Sequence, residues 1–313
     1  MKVKVFIDGS SGTTGLRIAD RLAQRPEIEL LSISAEGRKD VNERAKVINS
    51  ADLAFLCLPD AASKEVMPLL RPDVKVLDTS TAFRTDAAWD YGFPELAGQK
   101  EKIKNSYRVA VPGCYASGFI SIARPLVELG LAPASYPFSC TGISGYSGGG
   151  KKMIAEYEST DRPAHSKLDA PKSYGLGLAH KHLPEMQKIS GLAHTPMFVP
   201  VVCDYYCGMQ VLVPLDLKLA GTTAEKVAEG IAEYYKDAAT VKVHALNEAL
   251  PENGLYSNAM AGTDRMELYM TVNAAGDQMM LISLFDNLGK GSSGAALQCM
   301  NLMLGLPETE GLE

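Results

Sequence analysis

The stretch Val3-Lys-Val-Phe-Ile-Asp-Gly9-Ser-Ser-Gly12-Thr-Thr-Gly15 decides how the first part of the chain folds. Residues 3–7 have the pattern of a strand, and residues 16–22 continue with the apolar spacing of an amphipathic helix. Glycines between a strand and a helix let the backbone approach a pyrophosphate, which the helix N-terminus holds. The stretch therefore predicts a dinucleotide-binding unit. Its spacing is G-x-x-G-x-x-G rather than G-x-G-x-x-G, and a plain tight turn is the alternative.

The choice of dinucleotide depends on the loop after the second predicted strand, residues 29–34. An acid there binds the ribose hydroxyls of NAD, whereas basic groups bind the 2′-phosphate of NADP. The loop offers Glu36 together with Arg38 and Lys39. We predict NADP(H), because two cations outnumber one acid and nearby serines can also donate; a solvated charged loop is the alternative. The residues expected to contact the cofactor in these two loops are Gly9, Ser11, Gly12, Thr13, Thr14, Gly15, Ser34 and Arg38.

Strands and helices continue to alternate beyond this loop. Residues 51–58 and 74–78 are apolar runs typical of buried strands, and a helical segment at 61–70 lies between them. Short links between alternating elements predict an α/β fold with a Rossmann-like, doubly wound parallel sheet. Ligands of such sheets collect at the carboxyl ends of the strands. Pro59 and Ser80 fall at such ends, so we expect both to contact the cofactor.

A second domain is predicted after the helix that follows Cys114. Residues 138–152 indicate a strand that opens into a glycine-serine loop, and residues 198–214 and 267–284 are long β-rich runs. This pattern predicts an α+β domain with a mixed or antiparallel sheet. A turn and helix at 284–304 are expected to return to the first domain. The expected domains are therefore 1–113 with 286–313 for the dinucleotide, and 114–285 for catalysis, substrate and oligomerisation.

Composition and charge exclude several function classes. The chain has 313 residues, 46% of them apolar, and a net charge of −6 without a basic block, so we expect neither nucleic acid nor a membrane as a partner. No apolar run reaches the ~18 residues of a membrane span. The first residues indicate a strand and not a signal peptide. Six cysteines without regular spacing indicate reduced thiols and a cytoplasmic location.

Cys114 is the candidate nucleophile. It follows the apolar run 109–111 and the turn Pro112-Gly113, and apolar residues at helical spacing come after it. A cysteine at a helix start lies at the positive end of the helix dipole and near unpaired N–H groups, which favour the thiolate. A thiolate is the form that attacks a carbonyl at neutral pH. The alternative is a small hydrophobic residue packed under a turn.

The segment His180-Lys-His182-Leu-Pro-Glu185 is the densest group of titratable residues. Alternate residues of an extended stretch face the same side, so both histidine rings are expected to line one cleft. Three interpretations are open: a metal site completed by the glutamate, a surface pair without a role, and acid/base service to Cys114. We favour the last and expect no metal.

The motif Pro112-Gly113-Cys114-Tyr115-Ala116-Ser117 resembles the P-G-C-Y signature of the N-acetyl-γ-glutamyl-phosphate reductases, a family of arginine biosynthesis, in its shorter type. Other blocks resemble the same family in the same order. They are Gly9–Gly15, Asp78–Ser80 with Phe83-Arg84, 91–96, Ser144-Gly145 with Ser147-Gly148, 180–185, and Asn287 to Gly291. Gly289 and the serines at 292 and 293 depart from the family pattern. The glycine loop also resembles that of aspartate-semialdehyde dehydrogenases, a wider relative.

The resemblance implies a two-domain, semialdehyde dehydrogenase-like reductase that uses NADPH and forms homo-oligomers, dimers or tetramers. It implies that Cys114 captures N-acetylglutamyl phosphate as a thioester, that phosphate leaves, and that hydride transfer yields the semialdehyde. His180, with His182 second, would be the acid/base. Cofactor contacts are also implied at Asn287 and Gly291. The implied substrate-binding residues are Arg84, Ser144, Gly145 and Glu185, with the lysines at 151 and 152 as further candidate cations.

Two other functions remain open at this point. One is a related enzyme, either an aspartate-semialdehyde dehydrogenase or a reductase of a lysine-pathway acyl phosphate, and no single residue separates these from the first interpretation. The other belongs to a different class, a nucleotide-sensing regulator that kept the fold and lost catalysis. The regulator predicts an unreactive Cys114, whereas the enzymes require a reactive one.

Overall fold

The computed structural model describes residues 2–313, and the side chains of all of these except that at position 252. The chain forms two compact units. The first comprises the described residues up to Pro94, Gly98–Pro112 and Ser292–Leu312. The second comprises Glu95–Ala97, Gly113–Gly291 and Glu313.

The helices and strands follow one another in the alternating order that the sequence indicates for the first unit. The strands are β1 (Val3–Asp8), β2 (Ile28–Leu31), β3 (Leu53–Leu56), β4 (Lys75–Asp78), β5 (Asp90–Tyr91), β6 (Arg108–Ala110), β7 (Ser139–Gly145), β8 (Lys172–Ser173), β9 (Met197–Cys203), β10 (Met209–Asp216), β11 (Val241–Val243), β12 (Met266–Val272) and β13 (Gln278–Phe285). The α-helices are α1 (Thr13–Leu22), α2 (Val41–Ser50), α3 (Asp60–Val66), α4 (Gln99–Asn105), α5 (Cys114–Glu128), α6 (Gly150–Tyr157), α7 (Leu183–Ser190), α8 (Leu217–Ala220), α9 (Ala224–Tyr234) and α10 (Gly294–Leu304).

The first unit is built on a parallel sheet of strand order β2-β1-β3-β4-β6-β5. The strand order reverses at β1, because β2 lies on one side of it and β3 on the other. A crevice forms at such a reversal, outside the carboxyl ends of the strands. The glycine loop leaves β1 at this point.

The sheet of the first unit carries a hydrophobic core on each face. Alternate strand residues point to opposite faces, so Val5 and Ile7 belong to one cluster and Phe6 to the other. The first cluster takes residues from α1, α4 and α10, whereas the second takes residues from α2 and α3. The doubly wound architecture predicted from the sequence is therefore confirmed.

The second unit is built on a mixed sheet of strand order β11-β12-β13-β10-β7-β9-β8. The pairs β7–β9 and β11–β12 are parallel, and the remaining pairs are antiparallel. The predicted run 198–214 is in fact two strands, β9 and β10, which are separated in the sheet by β7. The predicted α+β domain with a mixed sheet is confirmed.

Helix α5 packs closely on this sheet. A side chain at Gly118 would place its Cβ 2.6 Å from Val211 and 2.7 Å from Ser283, so the helix approaches β10 and β13 without space for a methyl group. Most of the helix is buried. Since a packed interior resists displacement, the first turn of α5 is held in a fixed place.

No helix of the described residues 2–313 is long and apolar enough to cross a membrane.

A buried ion pair joins two distant parts of the second unit. The Lys290 ammonium donates to both carboxylate oxygens of Glu95, at 2.7 and 2.8 Å, and the side chains are 2% and 1% exposed. The Thr240 hydroxyl donates to the same carboxylate. Removal of one partner of such a pair leaves the other charge buried, which is far more costly than removal of both.

We expect the variant Lys290→Met to lose about 3–5 kcal/mol of unfolding free energy, because it leaves the Glu95 carboxylate buried without its cation. The double variant Glu95→Leu/Lys290→Met should recover most of that loss. Urea denaturation followed by circular dichroism measures both.

The matched control is Lys104→Met, which removes the cation of an exposed ion pair with Glu101 and should leave the denaturation midpoint nearly unchanged. Equal losses in Lys290→Met and Lys104→Met would contradict this account of the buried pair.

Candidate active site

The Cys114 thiol lies at the first residue of α5. It is a free cysteine and partly exposed, and Gly113 before it is the N-cap residue, in extended conformation. The first N–H groups of a helix have no partner within the helix, and they carry partial positive charge. Both features favour a thiolate at this position, so the predicted helix start at Cys114 is confirmed as a feature of the fold.

Gly291 lies directly against the nucleophile candidate. A Cβ atom at position 291 would come within 3.0 Å of the Cys114 Cβ, a distance that real Cβ atoms seldom show. Gly291 belongs to the π-helical turn Gly289–Ser293, and its N–H donates to the Asp286 carbonyl at 2.9 Å. Single π-helical turns are frequent at functional sites. The predicted cofactor contact at Gly291 stays a prediction, and the position leaves little space for a side chain.

An aromatic cluster packs around Tyr115, the second residue of α5. We define it by five residues, which are Tyr115, Tyr174, His180, His182 and Phe198. The Tyr115 ring packs edge to face against Phe198 and His180, with centroids 5.1 and 5.9 Å apart, and lies 6.1 Å from His182. Tyr174 packs edge-on against His180 at 6.0 Å. The cluster therefore places both histidines of the sequence motif next to the residue that follows Cys114.

Hydroxyl groups of the cluster are linked to the backbone and to each other. The Tyr174 hydroxyl donates to the Tyr115 hydroxyl at 3.3 Å, which donates to the Val201 carbonyl at 3.2 Å. Burial raises the pKa of Tyr174 to about 12, and a negative charge on Cys114 raises that pKa as well. Burial and the same charge also raise the pKa of Tyr115. The cysteine sulfur thus lies within electrostatic reach of both hydroxyls.

The two histidines differ in burial and in bonding. His182 is buried, whereas His180 is partly exposed. The His182 main-chain N–H donates to His180 Nδ1 at 3.1 Å, and the two rings are nearly perpendicular with centroids 4.7 Å apart. Burial, with a smaller contribution from the Lys181 charge, lowers the pKa of His180 to about 4.

The segment around the histidines is not extended, so that expectation is wrong. His182 has helical backbone angles and forms the N-cap of α7, with proline in the first turn of that helix. Proline is common in the first turn of a helix. Because α7 begins at Leu183, the residues just before it form a turn and not an extended strand. The rings still lie side by side, but they do so through this turn.

Glu185 ties α7 to the start of α5. Its carboxylate accepts a hydrogen bond from the Gly113 N–H at 3.2 Å, and the residue is 2% exposed. The acid therefore holds the backbone immediately before Cys114. The sequence predicts substrate contact for Glu185, and this role stays a prediction.

Three of the residues predicted for the dinucleotide line a cavity of about 360 Å³ in the first unit. Gly9, Ser11 and Arg38 line it. Gly9 has φ +89°, and a Cβ atom there would lie 2.3 Å from the Cys57 carbonyl oxygen. A Cβ atom at Gly15 would lie 2.5 Å from the Gly9 carbonyl oxygen. Only glycine fits these two positions, and the resulting loop has the exposed backbone that a pyrophosphate requires.

The remaining predicted cofactor residues of the first unit have these places. Gly12 is the N-cap of α1, Thr13 is its first residue, and the Thr14 hydroxyl lies 3.1 Å from that of Ser292. The Ser34 hydroxyl accepts from the Gly37 N–H, and Pro59 is the N-cap of α3. The buried Ser80 hydroxyl donates to Asp78, whose pKa is raised by burial. Their contact with a cofactor stays a prediction.

Several predicted ligand residues already bond to the protein itself. The buried Arg84 guanidinium donates to the carbonyls of Val111 and Thr79, each at 2.9 Å. The buried Ser144 hydroxyl donates to the carbonyl of Gly145, whose N–H donates to Gly208. The Asn287 side chain accepts from the Gly208 N–H and donates to the Ser147 hydroxyl. These contacts assign each group a structural partner and leave their ligand roles as predictions.

Sequence reasoning missed three members of the aromatic cluster as site residues. Tyr115 directly follows Cys114 and could have been found from the motif alone. Tyr174 and Phe198 come from separate segments, and nothing in their local sequence connects them to the cysteine. Among the described residues, no group of three or more His, Cys, Asp or Glu side chains is arranged to hold a metal ion.

Two family models match the chain. The model described as semialdehyde dehydrogenase, NAD binding domain, matches residues 4–106, and the model described as semialdehyde dehydrogenase, dimerisation domain, matches residues 114–287. The first indicates a nicotinamide dinucleotide cofactor, and the second indicates oligomerisation.

Curated relatives cover nearly the whole chain. An N-acetyl-gamma-glutamyl-phosphate reductase from Trichormus variabilis is 46% identical over 320 residues, which cover 99% of each chain. A Burkholderia cenocepacia protein of the same name is 46% identical over 96% of this chain and 97% of its own length. An N-acetyl-gamma-glutamyl-phosphate reductase 2 from Pseudomonas putida is 43% identical over 98% of each chain.

Solved structures support the fold alone. Aspartate semialdehyde dehydrogenase II from Vibrio cholerae aligns with a TM-score of 0.68 at 17% identity, covering 97% of this chain and 99% of that one. The aspartate semialdehyde dehydrogenase from Francisella tularensis gives a TM-score of 0.70 at 15% identity, covering 96% and 100%.

The full-length relatives are reductases, and the matching domain models belong to the semialdehyde dehydrogenases. The chain is therefore an oxidoreductase, and it belongs to the family of N-acetyl-γ-glutamyl-phosphate reductases.

Proposed function

We propose that this chain reduces N-acetyl-L-glutamyl 5-phosphate to N-acetyl-L-glutamate 5-semialdehyde with release of phosphate, as a step of arginine biosynthesis. The observation that supports this proposal most is the partly exposed Cys114 at the start of α5. Gly291 lies close to it, and Tyr115 of the aromatic cluster follows it in the chain. The family membership selects this substrate over aspartyl phosphate and the lysine-pathway acyl phosphate. NADPH, when bound, supplies the hydride for the reduction.

Cys114 acts as the nucleophile. Its thiolate forms a bond to the acyl carbon, and the bond from that carbon to the phosphate oxygen breaks, so a thioester and free phosphate result. This capture divides one difficult acyl reduction into two easier steps. The first N–H groups of α5 lie where they can donate to the oxyanion that develops on the acyl oxygen.

The other residues take the roles that the resemblance implies. His180, with His182 second, is the proposed acid/base at the thiohemiacetal oxygen. The proposed substrate-binding residues are Arg84, Ser144, Gly145 and Glu185. For Gly145 and Glu185 the support is their place in the second unit beside Gly208 and Gly113. For Arg84 the support is membership of the sequence block, and its guanidinium also donates to the main-chain carbonyls of Val111 and Thr79.

NADP(H) is the proposed cofactor in preference to NAD(H). The support is Arg38, which lines the 360 Å³ cavity beside the glycine loop, with the Ser34 hydroxyl at the same turn. A guanidinium binds a phosphate with paired, charge-assisted hydrogen bonds. Asn287 and Gly291 remain proposed contacts of the same cofactor, together with the residues of the loops that follow β1, β3 and β4.

We also propose the domain bounds, the oligomeric state and the cellular location of this protein. The cofactor domain is residues 1–113 with 286–313 and the catalytic domain is 114–285. The two compact units support this division except at Glu95–Ala97, Gly113, 286–291 and Glu313, which belong to the second unit. A homo-oligomer, dimer or tetramer, is proposed from the dimerisation domain. A cytoplasmic location is proposed because all six cysteines are free, as expected in a reducing compartment.

The variant Cys114→Ala should lose turnover by about 10⁴-fold or more, the range found when a covalent nucleophile is removed. The measurement is phosphate-dependent oxidation of N-acetylglutamate semialdehyde with NADP, followed at 340 nm. Cys203→Ala is the matched control, because Cys203 is a partly buried thiol at the end of β9, and it should retain activity. Substantial turnover in Cys114→Ala would rule out the covalent mechanism.

The variant Arg38→Ala should raise the KM for NADPH about 10- to 100-fold, because a hydrogen bond to a charged group contributes about 1.5–3 kcal/mol. The KM for NADH and the kcat with saturating NADPH should change little. Lys46→Ala removes an exposed cation from the neighbouring helix α2 and serves as the control. The assignment of Arg38 would be contradicted by a parent enzyme that prefers NADH. It would also be contradicted if Arg38→Ala raised the KM for NADPH and the KM for NADH equally.

A further inference from the structure

A buried ion pair lies at the carboxyl end of β1. The Arg44 Nε–H of α2 donates to the Asp8 carboxylate at 2.8 Å, and the two side chains are 7% and 6% exposed. A second N–H group of the same guanidinium donates to the Ala62 carbonyl of α3 at 3.3 Å. Asp8 is the last residue of β1 and directly precedes Gly9. Arg44 therefore connects the start of the glycine loop with α3.

The acid of this pair also lines the 360 Å³ cavity of the first unit. Alternate strand residues point to opposite faces of a sheet, so the Asp8 side chain points to the same face as that of Phe6. Phe6 lines the cavity too, and it belongs to the hydrophobic cluster that includes residues of α2. The Asp8 carboxylate therefore meets Arg44 on the α2 face of the sheet, beside the cavity.

The lining of the cavity contains charges of both signs. Among the described residues that line it, Asp8 and Arg38 are the charged ones. An acid in such a place repels the phosphates of a dinucleotide and opposes the attraction that Arg38 exerts on them. Because Arg44 pairs with Asp8, the negative charge is offset, and the positive charge of Arg38 remains available to an anionic ligand.

Stability alone is a weak reason for this ion pair. Burial removes the hydration of both charges, and that cost commonly offsets their mutual attraction. Burial raises the pKa of Asp8, and the Arg44 guanidinium opposes that rise. The carboxylate thus depends on Arg44 where water is scarce. A neutralised acid at the edge of a cavity for an anion indicates a role in binding.

We propose that Arg44 admits the phosphates of the dinucleotide by neutralising Asp8 at the cavity, and that it does so without touching the cofactor. This inference rests on the proposed cofactor site. Arg44 is then a positioning residue that acts through Asp8. Its role differs from that of Arg38, for which a direct contact with the 2′-phosphate of NADP(H) is proposed.

Two single variants break the same ion pair but leave opposite charges. Arg44→Met leaves the acid, so it should raise the Kd of both NADPH and NADH about 10- to 100-fold, with the larger change for the more highly charged NADPH. Asp8→Asn leaves the guanidinium in a side chain pocket of nearly unchanged shape, so both Kd values should stay the same or fall. The double variant Asp8→Asn/Arg44→Met should bind nearly as the parent does.

The measurement is titration of the intact enzyme with NADPH or NADH, followed by the fluorescence of the reduced nicotinamide. A pH of 8.5 favours the carboxylate form of Asp8, whose pKa burial raises. Lys46→Met is the matched control, because it removes one positive charge from an exposed position of the same helix, and it should leave both Kd values unchanged. Circular dichroism melts establish that each variant is folded.

A purely structural ion pair predicts a different result. It predicts that Arg44→Met and Asp8→Asn weaken cofactor binding equally, and that outcome would overturn the inference. Unchanged Kd values in folded Arg44→Met would overturn it as well. Arg44→Gln keeps a neutral N–H donor toward Asp8, and it supplies the same comparison if Arg44→Met does not fold.

Failure of this inference can be told from failure of the proposed cofactor site. A parent enzyme that binds neither NADPH nor NADH contradicts the proposed site. A parent that binds them, with variants that fail the comparison above, contradicts the role of Arg44 alone. The two arginines are also separable, because Arg38→Ala should weaken NADPH selectively, whereas Arg44→Met should weaken both cofactors.

Discussion

The position of the first turn of α5 is the constraint on which the second unit depends. Gly118 brings the helix so close to β10 and β13 that no methyl group fits between them. Gly291 of the π-helical turn lies so close to Cys114 that an added Cβ would be 3.0 Å from the cysteine Cβ, and Glu185 accepts from the N–H of Gly113. Three separate features thus hold the backbone around Cys114, and a closely packed interior resists their displacement.

The sequence predicted the architecture because its signals were local. Strand, glycine turn and helix follow one another within about twenty residues. The spacing of apolar residues along them indicates which side chains are buried. The helix start at Cys114 was predictable for the same reason. The proline and the acid at 184 and 185 also indicate the start of α7, but the backbone at His182 differs from the expected extended stretch, because it already has helical angles as the N-cap of that helix. A local pattern cannot decide between two conformations that it permits equally.

What the sequence could not predict depends on contacts between distant segments. Tyr174 and Phe198 join Tyr115 only through the folded sheet. Lys290 meets Glu95 across 195 positions of sequence, and neither residue carries a local sign of the pairing. The guanidinium of Arg84 illustrates the same limit. Its motif predicts a ligand contact, which stays a prediction, but gives no sign of the Val111 and Thr79 carbonyls to which the side chain donates.

The place of α10 has a consequence for how the chain is made. This helix contributes Leu297, Met300 and Leu302 to the same hydrophobic cluster as β1, yet about 290 residues of sequence separate it from that strand. A ribosome releases the amino-terminal strands long before it has translated α10. Until then α1 and α4 alone cover that face of the sheet, and chaperones that shield apolar surfaces can bind the part that α10 later covers.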